Sequence, residues 1–258
     1  MAGNSATWIA RQYQPVIVEQ LIESRLMCGR YRLTRKDRLA ESFEAALSDD
    51  DLDLAPRYNI APTQPILVIR SNGRARVISS MCWGLVPSWA KDRSGAKINA
   101  RSETIFEKAV FKESFERRRC LIPADGFYEW KGTGKSRQPF HFGLKDDSLF
   151  VFAGIWDRWK PPRGPVVESC AILTTTANEL VRDVHERMPV ILRAERYQTW
   201  LHAATTDCGN LTELLTPFAS HQMKRWPVGS AVNDPHNDSR ECVAEVAEFR
   251  PAQAALFG

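Results

Sequence analysis

A chain of 258 residues that is 43% hydrophobic and 26% charged has the size and composition of one large or two small soluble domains. No apolar run approaches the roughly 18 residues that a membrane helix needs, and the first 26 residues lack the basic and apolar regions of a secretory signal. The protein is therefore expected in the cytoplasm, and its net charge of +4 permits nucleic-acid binding through a local patch without requiring it. The six cysteines stand at 28, 82, 120, 170, 208 and 242, the closest pair 34 residues apart. That spacing excludes CxxC and zinc-ribbon motifs, and no metal or organic cofactor is called for. Cys82, Cys120 and Cys170 read as small buried hydrophobes in strands.

Residues 1–26 hold one short apolar cluster, "PVIVEQLI", without a packing partner. They are expected to be a non-native or removable extension. "GRYRL" then reads as a strand by alternation. Thr34 begins "TRKDRLAESFEAAL", with Asp37 at the third following position. This capping-box-like start predicts a helix with Leu39, Phe43 and Leu47 on one face. "SDDDLDLAPRYN" is an acidic, solvated loop. Two β-rich runs flanking "SNG", from Ile66 to Leu85, predict a hairpin. "ETIFEKAVFKESFERR" has helical spacing, and the run Arg117–Arg119 reads as a solvated helix end. "CLIPADGFYEW", "RQPFHFGL", "LFVFAGIWDRW" and "SCAILTTTA" read as strands, followed by helix starts at "TANELVRDV" and "AERYQTWL". The tail after Pro235 is polar and loosely patterned. Hairpins mixed with scattered helices predict a single α+β domain and not a βαβ array. No glycine-rich phosphate loop stands at a strand-to-helix junction.

Several short segments are unusual for a plain core. They are "MCGR" (27–30), "RYNIAPTQ" (57–64), "WGLVPSW" (83–89), "KINARSET" (97–104), "IPADGFYEW" (122–130) and "VHERMPVIL" (184–192). They supply a thiol (Cys28), an amide (Asn99), two guanidinium groups (Arg30 and Arg101), a carboxylate (Glu129) and an imidazole (His185).

These segments, with "AGIWDRW" and "VGSAVND", resemble the SRAP family, the SOS-response-associated peptidases that process abasic sites in single-stranded DNA. The resemblance spans about residues 27–245, in the family's order and at compatible spacings. It implies a single domain with a mixed, mostly antiparallel, curved β-sheet core flanked by short helices, followed by a tail from 246 to 258. It also implies that Cys28 is the nucleophile, exposed as the N-terminus by removal of the preceding methionine. By the same resemblance Asn99 orients it, Glu129 is the acid/base and His185 assists proton transfer. Arg30, Arg101 and Trp83 fall at DNA-contacting positions, and Asn59 and Pro62 lie in a loop lining the same site. Trp89 is a further candidate for stacking on bases. The implied partner is single-stranded DNA containing abasic sites, bound by a monomer with no membrane or metal involved.

The chemistry suits these residues. An abasic site is a masked aldehyde, and an N-terminal cysteine is a 1,2-aminothiol. Its amine condenses to an imine, and its thiol then closes a thiazolidine intramolecularly. A reference pKa of about 7.7–8.0 leaves a useful fraction of the amine neutral at pH 7. Strand alternation in "GFYEW" would set Glu129 on the face opposite Tyr128 and Trp130. Lyase and self-cleaving peptidase side activities are compatible with the same set. A conventional cysteine peptidase using Cys28, His185 and Asn99 is the alternative, and a non-catalytic single-strand binding module is a third. With 26 residues and Met27 ahead of it, Cys28 carries an amide nitrogen, which cannot form an imine. Either Met27 is the true start, or the extension is cut off before Cys28.

Overall fold

The computed structural model describes residues 29–49, 52–134, 137–202 and 211–248. The expectations for residues 1–26, Cys28, Cys208 and the end of the tail lie outside the described residues.

The first half of the chain supplies β1 (Arg30–Leu33), α1 (Leu39–Phe43), β2 (Ala45–Leu47), β3 (Arg57–Ile60), β4 (Pro65–Ser71), β5 (Arg76–Trp83) and β6 (Asn99–Arg101). There follow α2 (Ala109–Arg117), β7 (Arg119–Ala124), β8 (Gly126–Lys131), β9 (Gln138–Leu144), β10 (Phe150–Trp159) and β11 (Val167–Thr176). The last are α3 (Glu179–Arg182), β12 (Arg187–Pro189), β13 (Ile191–Leu192), α4 (Tyr197–Leu201) and β14 (Met223–Pro227). Strands dominate, most pairings are antiparallel, and the helices are short, which is the α+β architecture expected from the sequence.

Five strands form a ring. β5, β4, β7, β10 and β11 pair in that order, and β11 returns to β5 in parallel, with Ser169 opposite Cys82 and Cys170 opposite Trp83. Closure turns the sheet into a small barrel with no open edge among these strands. β6 continues along β11 beyond β5, with Asn99 opposite Ile172 and Arg101 opposite Thr174. A second sheet, β14–β9–β8–β1–β3, is wholly antiparallel. It packs on the barrel through aromatic edges. Tyr31 meets Trp83 at 5.5 Å and Phe152 at 5.7 Å, and Phe127 meets Phe152 at 6.2 Å.

Local sequence reasoning was overridden at two places. The helix expected from Thr34 ends at Phe43, where Glu44 takes a left-handed conformation (φ 49°). Ala45–Leu47 instead add to β5 as a parallel edge strand, so Leu47 is exposed and not on a helix face. Thr34 makes no helix cap; its amide and hydroxyl both donate to Asp125 (2.7 and 2.5 Å). The Arg117–Arg119 run is not uniformly solvated either. Arg119 is buried and donates to the carbonyls of Phe115, Glu116, Trp200 and His202, tying α2 to α4. Arg118 pairs with Asp157 at 3.2 Å. The expected hairpin is β4–β5, with a longer turn in which Asn72 Oδ1 accepts from the amides of Arg74 and Ala75. Cys82, Cys120 and Cys170 are buried in strands, as expected.

One buried group was not anticipated. His141 on β9 is 0% exposed, 4.2 Å from the Trp226 ring and 5.2 Å from Tyr128. A Cβ on Gly126 would stand 2.0 Å from its Nε2, so only glycine fits across from it. Neither ring nitrogen has a hydrogen-bond partner among the described residues. Burial, reinforced by the positive charges of Arg32 and Lys224, holds its pKa well below the usual value. The nearby Asp125 is committed to Arg32 at 2.9 Å. Above about pH 6.5 the imidazole is neutral whether the chain is folded or not, and contributes nothing to pH dependence. Below that, only the unfolded chain takes up the proton, so stability falls by up to about 1.4 kcal/mol per pH unit. His141→Phe is therefore expected to gain stability over the parent as pH falls from 7 to 5, measured by urea unfolding. Parallel pH curves for the two proteins would remove His141 from the acid sensitivity.

Candidate functional site

The unusual segments converge on one end of the barrel. Arg30 and Tyr31 of β1, Trp83 of β5, Phe127 of β8, Ile172 of β11 and Pro189 of β12 line a crevice too tight to admit water. Asn99 joins them by pairing with Ile172. Gly29 precedes Arg30, which pairs with Tyr128; carried one position further, that register sets Gly29 across from Glu129. A larger groove, about 600 Å³, lies elsewhere, between Arg193–Arg196 and Leu214–Ala219, and contains none of the candidate residues.

Glu129 is 2% exposed, on a strand whose other face carries Tyr128 and Trp130 into a separate cluster with Val228, Val232 and Cys242. The alternation read from "GFYEW" thus holds. On the barrel side of the crevice, Asn99 is half-buried and Arg101 exposed. His185 follows α3, its amide bonded to the Val181 carbonyl at 2.9 Å. His185 Nδ1 lies 3.1 Å from the Arg187 amide and 3.3 Å from the Arg187 carbonyl, so it faces both a donor and an acceptor.

Four of the predicted DNA-contacting residues sit behind the surface. Arg30 is 7% exposed, and its guanidinium donates to Asn59 Oδ1 (3.0 Å) and the carbonyls of Val232 (2.7 Å) and Asn233 (3.3 Å). Burial lowers its pKa to about 10, so it remains a cation at neutral pH. Asn59 is buried and donates to the carbonyls of Val232, Asp234 and Asn237. Trp83 is 0% exposed, and its indole N–H donates to the Ile98 carbonyl at 2.9 Å. Pro62 is also buried. All four are thus buried, three of them with hydrogen-bond partners inside the protein. Trp89 differs: it is 65% exposed. Cys28 lies outside the described residues.

Two devices were missed at the sequence level. Arg187 makes a two-pronged bond to Glu103, one arm at 2.8 Å, and donates to the Thr174 carbonyl at 2.8 Å. Its hydrogen bonds hold the Glu103 carboxyl below the usual range. This bridge joins the residues just after Arg101 to the strand just after His185. Second, the segment 228–243 is strapped over β1, β3 and β8. Asp238 accepts from the amides of Tyr58 (2.5 Å) and Asn59 (2.8 Å) and pairs with Arg57, while Trp130 donates to Asn233. The signal was present, since Glu103, Arg187 and Asn233 all lie in quoted motifs, but nothing in the sequence pairs them.

Comparison with known proteins agrees with this geometry. The family model described as SOS response associated peptidase (SRAP) matches residues 27–235, and the chain belongs to that family. It is 42% identical to the abasic site processing protein YoqW of Bacillus subtilis (strain 168), over 84% of this chain and 99% of that protein. It is 30% identical to the abasic site processing protein HMCES of Xenopus tropicalis, over 77% of this chain and 69% of that one. A solved protein from Bacteroides thetaiotaomicron superposes with a TM-score of 0.75 at 25% identity, covering 85% of this chain and all of the other.

Asn59→Ala would remove one partner from the Arg30 guanidinium and one from each of three strap carbonyls. It should cost about 2–4 kcal/mol in urea unfolding and speed proteolysis of the 228–243 segment. Intact stability and an unchanged cleavage rate would show that the strap is held by other contacts. Trp83→Ala should cost about 3–5 kcal/mol, whereas Trp89→Ala should stay within about 0.5 kcal/mol. Comparable losses at the two positions would contradict their assigned environments.

Proposed function

We propose that this protein, whose relatives are named abasic site processing proteins, captures abasic sites in single-stranded DNA covalently through Cys28. The observation that supports the reading is the crevice lined by Arg30, Phe127 and Ile172, with the buried Glu129 two residues past Phe127 on the same face of β8 and Asn99 opposite Ile172. Cys28 is bonded to Gly29, so its Cα is about 3.8 Å from that residue's.

The α-amine of Cys28 attacks C1′ of the ring-opened sugar, forming a C–N bond. The carbonyl oxygen leaves as water, and an imine remains. The thiol then adds across the C=N bond, its sulfur joining C1′ and its proton ending on nitrogen, which closes the thiazolidine. Ring opening and loss of water both require a proton delivered to oxygen, and the buried Glu129 is suited to carry it. His185, its ring anchored through Nδ1 on the Arg187 backbone, is suited to relay protons as the adduct forms or reverts. Asn99 holds the nucleophile without competing for the proton. Arg101 and Trp89 supply exposed charge and a stacking face for the strand. The reading requires that the chain begin at Cys28, with residues 1–27 absent; the family model begins to match at residue 27.

Protein starting at Cys28 should give a band shifted on a denaturing gel with an oligonucleotide carrying an abasic site. The band should vanish in Cys28→Ala, after acylation of the N-terminal amine, and in protein retaining residues 1–27. A stable adduct in any of the three would remove the aminothiol mechanism, and insensitivity to acylation would favour a conventional thiol nucleophile. Glu129→Gln should slow adduct formation by about 10²-fold or more with binding of undamaged single strands kept. Equal rates would exclude it as the proton carrier.

A further inference from the structure

The groove of about 600 Å³ lies away from the reactive crevice and shares no lining residue with it. One wall is the chain from Arg193 to Thr199, the other the chain from Glu213 to Ala219. Both are firmly set. Ile191 and Leu192, at the base, are buried and pair with Phe152 and Val151 of β10. The second wall is tied down through the Phe218 carbonyl, which accepts from the Asn178 side-chain amide at 2.7 Å. The groove is thus shaped by the fold before anything enters it, as ligand sites usually are.

The sequence of the first wall decides what it presents. A 3-10 turn (Ala194–Arg196) runs straight into α4, so Arg193, Arg196 and Thr199, three residues apart, share the face that lines the groove. Arg193 lies over the Phe218 ring at 5.4 Å, which steadies its guanidinium without neutralising it. With Glu195 beside the two arginines, the first wall carries a net charge of +1, and Glu213 gives the second wall −1. All four charged side chains are exposed, and among the described residues none of them has an ion pair. Opposite charges therefore face each other across the groove without meeting.

A groove that sums to zero charge has no net attraction for a polyanion. It complements a ligand that carries both signs. Between the charged groups, Leu214, Pro217 and Phe218 offer apolar surface. The size of the groove selects further. At about 30 Å³ per water, 600 Å³ is the space of about twenty waters. A free amino acid would leave most of that wet, whereas several residues of extended chain would fill it.

We infer that this groove binds a short extended segment of a partner protein, one with an acidic and a basic side chain on either side of an apolar residue. The acidic side chain goes to Arg193 and Arg196, the basic one to Glu213, and the apolar one to Leu214 and Phe218. Nothing in this inference depends on the abasic-site reading.

The test uses the full chain and fluorescein-labelled peptides with blocked ends. Each peptide holds Glu, Leu and Arg, in that order or the reverse, with glycines setting one to three residues between the two charges. Fluorescence anisotropy should show saturable binding of the parent to one order in preference to the other. Arg196→Gln/Glu213→Gln, at two exposed positions, should bind that peptide about tenfold or more weakly. Arg196→Glu/Glu213→Arg inverts the charge of both walls and should prefer the opposite order, which also shows that the exchanged protein is folded. The inference is overturned if no peptide of either order binds the parent, or if the exchange leaves the order preference unchanged. Equal binding of peptides with charges of one sign only would also overturn it. Displacement of the bound peptide by an undamaged single-stranded oligonucleotide would reassign the groove to nucleic acid.

Discussion

The site exists because β11 pairs in parallel with two separate pieces of chain. Hydrogen bonds from Ser169–Cys170 to Cys82–Trp83 close the barrel, and those from Ile172–Thr174 to Asn99–Arg101 extend the same edge by one further short strand. Parallel pairing between segments so distant in sequence carries a large loop-closure cost. It is offset by the aromatic seam that forms once the ring is shut, with Trp83 against Tyr31 and its indole bonded to Ile98. Without that closure, Asn99 and Arg101 would hang on an unattached loop, far from β1.

Polar bonds then fix what the barrel has brought near. The Arg187–Glu103 bridge holds the Asn99 and His185 segments at a set distance across β11. The strap of residues 228–243 locks Arg30, and with it the start of β1, through a buried guanidinium whose partners are largely backbone carbonyls. Such a group is expensive to strand and cheap to keep only while every partner is present, so it enforces one geometry.

Charge is divided between the inside and the surface. Arg30 and Glu129 are held within the fold, while Lys97 and Arg101 are exposed on the face they share with Asn99.

The sequence by itself determined the family, the α+β class, most strands, the β4–β5 hairpin, the buried cysteines and the face on which Glu129 stands. These follow from local patterns of period two, from turn chemistry and from ordered motifs. Only the tertiary structure decided that Arg30, Asn59 and Trp83 are buried and bonded within the protein. In a motif, a guanidinium, an amide or an indole reads equally well as a ligand contact or as an internal tie. Burial and partners distinguish the two, and both are set by chain segments up to 203 residues away. The same non-locality hid the strand that replaced the end of the Thr34 helix, the capping role of Arg119 and the unpartnered His141. In each case the deciding neighbour comes from a segment distant in sequence.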